Sequence, residues 1–145
     1  MAGMVTGASG TGYISAMNVI GHGIDLVEID RIRSALERHG DRFAKRLFTE
    51  GEQTQAGTGP LRVQFFAGRF AAKEAVMKAL GTGWARGVSW TDIEVRRLPS
   101  GKPELLLKGK CKEIADGLGV GQWEISITHT AGHAAASVVA VAALT

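Results

Sequence analysis

Arg69, Lys73, Glu74 and Lys78 lie close together in a stretch that is otherwise apolar and rich in alanine, Phe65 to Leu80. After Gly68 the stretch holds no Gly or Pro, and its composition predicts a helix stopped by Gly81-Thr82-Gly83. On a wheel of about 100° per residue with Phe66 at zero, Met77, Phe70, Leu80 and Val76 fall in one large apolar arc. Ala71, Ala75, Gly68, Ala79 and Ala72 fill an opposite arc whose small side chains suit the close approach of another element. Arg69 and Lys73 interrupt the large arc, while Glu74 and Lys78 form an i,i+4 pair beside it, so no charged face is left over for solvent. Two readings stand. Glu74 and Lys78 are an ordinary helix pair worth about 0.2–0.5 kcal/mol while the basic chains snorkel to water. Otherwise, because an unpartnered charge taken out of water costs several kcal/mol, these groups answer to a ligand or metal. The lysines then call for an anion. A neighbouring carboxylate suits Mg²⁺ arriving with phosphate, since that ion takes one or two carboxylates and fills its shell with waters and phosphate oxygens.

A second carboxylate, Asp25, follows Gly21-His22-Gly23-Ile24. Alternation along a strand puts Gly21, Gly23 and Asp25 on one face and Ile20, Ile24 and Leu26 on the other. The glycines leave room for something to approach Asp25; the plainer reading is a strand that ends in a turn. His22 is expected to face the core with its hydrogen bonds satisfied. No dinucleotide fingerprint is present, because Gly-x-Gly-x-x-Gly is incomplete.

The elements that must position these groups follow from period and punctuation. Asn18–Val27 reads as a strand, and a helix should begin near Arg31, with Ile32, Leu36, His39 and Phe43 at helical spacing and Gly40 as a stop or kink. Thr49-Glu50-Gly51-Glu52 has the capping-box pattern, and Gln55–Pro60 looks like loop. After the alanine-rich helix the period shortens towards two. Asp92–Leu98, Glu104–Lys108, Trp123–Thr128 and Ala134–Ala143 are strand candidates, Lys110–Gly117 is a short helix, and Pro99–Pro103 and Thr130–His133 are hairpin turns. Helices first and strands later, joined by short connections, predict a single α+β domain with an antiparallel sheet packed on helices, one of them central and buried.

Composition narrows the classes. A chain of 145 residues with 45% hydrophobic and 21% charged residues is one globular domain. A lone cysteine, Cys111, excludes an intramolecular disulfide, no Cys/His cluster has zinc spacing, and a reducing, cytoplasmic setting is expected. No apolar run reaches the roughly 20 residues of a membrane helix, so no membrane partner is expected. Residues 1–16 read as a Gly/Ser/Thr-rich leader ahead of a domain over 17–145. The net charge of +3 does not identify a nucleic-acid binder, and the 6% aromatic residues do not interleave with basic ones.

The blocks Gly23-Ile24-Asp25, Gly68-Arg69-Phe70-Ala71-Ala72-Lys73-Glu74-Ala75-Val76-Met77-Lys78-Ala79-Leu80-Gly81-Thr82-Gly83, Gly101-Lys102-Pro103 and Ile125-Ser126-Ile127-Thr128-His129-Thr130 occur in this order. Together they resemble the holo-acyl-carrier-protein synthases, the small type of 4′-phosphopantetheinyl transferase, over roughly Met17 to Ala143. The F-x-x-K-E-A-x-x-K pattern of the middle block is the specific part. The resemblance implies transfer of phosphopantetheine from coenzyme A to a serine of apo acyl carrier protein, with release of adenosine 3′,5′-bisphosphate. It implies Mg²⁺ on Asp25 and Glu74, and Lys73, Lys78 and His129 on the phosphates of coenzyme A, with Thr130 beside His129. Asp25, Glu74, Lys78 and His129 are the implied catalytic set; Glu74, a metal-bound water and His129 all remain open as the base, Glu74 or a water it holds being preferred. Gly81, Thr82 and Gly83 let backbone approach a ligand, and Lys102 and Pro103 suit the nucleotide end, although helix stop and hairpin turn explain these residues equally well. Small members of the family also form homotrimers with sites at subunit boundaries.

Arg31, Arg38, Arg42 and Lys45 form one basic stripe if the helix survives Gly40. Acyl carrier proteins are acidic, so the resemblance assigns docking to Arg31, Arg38 and Arg42; the plainer reading is a solvated basic face. The rival function is a non-catalytic carrier-protein-binding module.

Overall fold

The structure, a computed structural model, describes residues 18–84 and 87–144. The expected leader over 1–16 lies outside them. The chain runs through strand β1 (Val19–Glu28), helices α1 (Ile29–His39), α2 (Asp41–Leu47), α3 (Glu50–Ala56) and α4 (Arg62–Leu80), then a 3₁₀ turn at Trp90–Asp92. Strands β2 (Ile93–Arg97) and β3 (Pro103–Leu107), helix α5 (Gly109–Gly117), and strands β4 (Val120–His129) and β5 (His133–Ala142) complete it. The α+β expectation holds. β1, β5 and β4 form one antiparallel sheet in that order, and β2 and β3 form a separate antiparallel hairpin.

Helix α4 is the centre of the core. On β5, Ala134, Ala136, Val138 and Ala140 are buried while Ala135, Ser137 and Val139 between them are not, so one face of the sheet is committed to the helix. The small arc of α4 is where that face lands. A Cβ at Gly23 would collide with the carbonyl oxygen of Ala75, and one at Gly21 with that of Ala79. A Cβ at Gly68 would stand 3.0 Å from Ile127 Cγ2. The room that Gly21 and Gly23 leave on the Asp25 face is therefore taken by the backbone of α4, which is what approaches there. The opposite face of β1 is left open, with Ile24 59% and Leu26 68% exposed. His22 lies on that open face, its Nε2 3.3 Å from Ser137 Oγ, and not in the core as expected.

Two local differences follow from single residues. Gly40 adopts φ 54°, a left-handed conformation that ends α1 and starts α2, so the helix does not survive it. Thr49 closes its capping box with Glu52, and α3 then runs through Gln55 and Ala56, positions expected to be loop. Among the described residues no helix is long and apolar enough to cross a membrane.

Candidate active site

Neighbouring residues on a helix point about 100° apart, and α4 uses that angle to give Lys73 and Glu74 opposite fates. Lys73 is fully buried. Its Nζ donates to Glu52 Oε1 at 2.7 Å, to the Leu47 carbonyl at 2.7 Å and to the Trp90 carbonyl at 3.1 Å. All three ammonium protons are spent. Glu52, also buried, accepts in turn from the backbone N–H of Thr49 at 2.9 Å and of Val95 at 2.7 Å. Burial lowers the Lys73 pKa and the Glu52 carboxylate opposes that shift. Lys73 is thus a structural cation joining α2, α3 and the 3₁₀ turn to α4, which corrects its assignment to the phosphates of coenzyme A.

Glu74 turns instead to the half-open flank of α4, where the Trp84 indole Nε1 donates to its Oε2 at 3.2 Å. One turn further on, Lys78 Nζ donates to Asp25 Oδ1 at 3.2 Å and to the Ile24 carbonyl at 3.0 Å. Asp25, Glu74 and Lys78 therefore gather where α4 crosses the second half of β1. Asp25 pairs with Ala136 on β5 and Ala136 with Ile127 on β4, so His129 lies two residues beyond that row at the same end of the sheet. Alternation gives His129 the α4-facing side, about 10 Å from β1 across two strand spacings. Thr130 shapes the following turn, its Oγ1 accepting from the N–H groups of Gly132 and His133.

The other expected site residues are distributed around this group. Gly81 and Gly83 take φ 76° and 64°, and Thr82 Oγ1 donates to the Gly83 carbonyl. Gly81 and Thr82 face α5 across a cleft of about 510 Å³ that Lys110 also lines. Lys102 and Pro103 lie at the β2–β3 turn, with Lys102 Nζ 3.8 Å from Glu124 Oε1; within one chain neither bonds to Asp25, Glu74 or Lys78. Arg31 and Arg38 line a cleft of about 580 Å³ with Glu28, His39 and His133 at the same end of the sheet. Arg42 belongs to α2 beyond the break at Gly40, so the basic residues do not form a single helical stripe. A roomier cleft of about 620 Å³, between α3 and the β2–β3 hairpin, contains none of the three gathered residues.

Two carboxylates with no third His, Cys, Asp or Glu grouped beside them among the described residues form a poor zinc site. They suit a hard cation that keeps waters and substrate oxygens in its shell, which is the behaviour of Mg²⁺. The 4′-phosphopantetheinyl transferase superfamily matches over residues 21–139. The holo-[acyl-carrier-protein] synthase of Solibacter usitatus is 49% identical over 121 residues, 83% of this chain and 97% of that protein. The chain belongs to the holo-acyl-carrier-protein synthase family. This synthase is accordingly an enzyme, a 4′-phosphopantetheinyl transferase. Its fold is similar to that of the synthase from Bacillus anthracis, solved in complex with coenzyme A (3′,5′-ADP), at TM-score 0.72 and 39% identity over 88% of this chain and all of that one. The Helicobacter pylori synthase in complex with coenzyme A gives TM-score 0.73 and 34% identity, over 82% of this chain and 98% of that one.

Two residues around the synthase site, Glu52 and Trp84, are not apparent from spacing alone. Glu52 is legible only as half of a capping box, and its partnership with Lys73 is purely tertiary. Trp84 follows the Gly-Thr-Gly turn, and nothing local marks it as a partner of Glu74. Arg69 stands out in sequence as a cation in an apolar arc; in the fold it is buried, with its guanidinium 3.8 Å from the Phe65 ring centroid and its Nε without a hydrogen-bond partner. Burial and the nearby Arg97 push its pKa down to about 10, against the pull of Glu52.

Proposed function

We propose that this synthase transfers the 4′-phosphopantetheine group of coenzyme A to a serine hydroxyl of apo acyl carrier protein, with Mg²⁺ held by Asp25 and Glu74. The observation that carries this reading is the gathering of Asp25, Glu74 and the ammonium of Lys78 on one flank of α4. In the reaction the serine oxygen forms a bond to the phosphorus that bears pantetheine, the anhydride bond of coenzyme A breaks, and adenosine 3′,5′-bisphosphate leaves. Bound Mg²⁺ supplies neutralisation of the charge on the pyrophosphate. The Lys78 side chain is 55% exposed, free to follow an incoming phosphate while it neighbours Asp25, and it steadies the leaving group. Glu74, through a water or directly, takes the serine proton. His129 and Thr130, at the same end of the sheet, contact phosphate, the Gly81-Thr82-Gly83 backbone lies along the ligand, and Lys102 and Pro103 serve the nucleotide end.

The carrier protein approaches over the cleft edged by Arg31 and Arg38, with Arg42 on the adjoining helix, where basic side chains steer an acidic partner. The enzyme assembles as a homotrimer with sites at subunit boundaries, a reading supported by the uncovered Ile24 and Leu26 on the outer face of the sheet. Fatty-acid biosynthesis in the cytoplasm is the proposed setting; there Cys111 stays an inert thiol, since burial and Asp92 push its pKa up to about 12.

Mass spectrometry of apo acyl carrier protein incubated with the enzyme, coenzyme A and Mg²⁺ is expected to show the gain of one phosphopantetheine, lost with EDTA and with Glu74→Gln. Carriers that bind the folded enzyme yet gain no mass would replace this reading with that of a binding module. Arg31→Glu should raise the Michaelis constant for carrier protein several-fold and leave that for coenzyme A unchanged; equal losses for both substrates would remove the docking role. Light scattering in solution should return the mass of three chains, and a monomer at assay concentration would contradict the assembly.

A further inference from the structure

We propose that Trp84 is a positioning residue for Glu74, its indole N–H holding Oε2 so that Oε1 is presented to Mg²⁺; the inference rests on the metal reading of Asp25 and Glu74 above. A glutamate on a helix flank has three side-chain torsions to fix before it can act as a ligand, and ordering it costs rotamer entropy. Its helical neighbour does not fix it. Lys78, at i+4, donates to Asp25 Oδ1 and the Ile24 carbonyl and not to Glu74. Trp84 Nε1 does bond to the carboxylate, at 3.2 Å.

The chain is built to bring Trp84 back. Were α4 to continue, residue 84 would lie about 15 Å along the axis from residue 74. The left-handed conformations of Gly81 and Gly83 reverse the path instead. The ring is then clamped: Trp84 stacks on Trp90 with centroids 3.7 Å apart, and Trp90 stacks on Phe70 of α4 at 5.2 Å. Trp90 is itself anchored, since its carbonyl accepts from Lys73 Nζ at 3.1 Å. A line of contacts thus runs from the buried Glu52–Lys73 pair through Trp90 and Trp84 to Oε2 of Glu74. An indole N–H is a donor only, so Trp84 neither accepts the serine proton nor ligates the metal. Its contribution is to hold a carboxylate oriented, and partners that orient metal ligands are typically worth 10–100-fold in metal affinity or activity.

The test is Mn²⁺ binding, read by electron paramagnetic resonance, to the full-length enzyme saturated with coenzyme A in the absence of carrier protein. Trp84→Phe keeps a flat ring on Trp90 and removes the N–H; Trp90→Phe keeps the N–H and trims the platform. Trp84→Phe should weaken Mn²⁺ binding about tenfold and lower kcat while leaving the Michaelis constant for carrier protein unchanged, and Trp90→Phe should cost clearly less. If Glu74→Gln binds Mn²⁺ as the parent does, the metal reading fails and this inference with it. If Glu74→Gln loses binding but Trp84→Phe retains the parental affinity, the inference alone is overturned. Equal losses in Trp84→Phe and Trp90→Phe, or failure of Trp84→Phe to fold, would make Trp84 a packing residue and overturn it likewise.

Discussion

An ammonium sealed inside the protein against a carboxylate fixes the rotation of α4, and the site depends on that rotation. Lys73 and Glu52 are both removed from water, and such a pair is tolerated only when the remaining protons and lone pairs are also met. Here they are met by backbone, through the Leu47 and Trp90 carbonyls on one side and the Thr49 and Val95 amides on the other. Because the partners come from four segments, the helix cannot rotate without breaking several bonds together. Locking Lys73 inward sends Glu74 to the open flank, and Lys78 follows one turn later beside Asp25. Two adjacent charged residues thereby divide into one that builds the fold and one that faces the open flank.

The second constraint is steric. Gly21 and Gly23 have no side chains because the carbonyls of Ala75 and Ala79 occupy the space a Cβ would need. This backbone-level approach brings Asp25 within reach of a helix side chain, and it explains why alanine and glycine line the arc of α4 that meets the sheet. The opposite face of the sheet, with Ile24 and Leu26 uncovered, has no such partner among the described residues. The apolar surface buried against α4 and the apolar surface left outside are two sides of the same alternating strand.

The sequence reads well wherever the cause is local. Strand and helix order, the α+β class, the stop at Gly81, the Thr49 capping box and the small-residue arc of α4 all follow from period, punctuation and side-chain size. The break at Gly40 is visible as a residue; whether it kinks or ends the helix depends on a left-handed φ that composition does not dictate. Asp25, Glu74 and Lys78 are legible as charges that need an answer, and the fold brings them together. Lys73 is misread because a wheel shows the direction in which a side chain leaves the helix and not what waits there. Its partner Glu52 lies 21 residues away and is disguised by its capping role. Trp84 is invisible for the same reason, since its bond to Glu74 requires a chain reversal and an aromatic stack formed only in three dimensions.

The division of labour between Lys73 and Glu74 is tested most directly by Lys73→Met, measuring its unfolding free energy in urea beside its Michaelis constant for coenzyme A. Stranding the Glu52 carboxylate should cost about 3–5 kcal/mol of stability, while the folded enzyme keeps its Michaelis constant for coenzyme A within about twofold. Undiminished stability with a Michaelis constant for coenzyme A raised tenfold or more would return Lys73 to the phosphates and contradict the account.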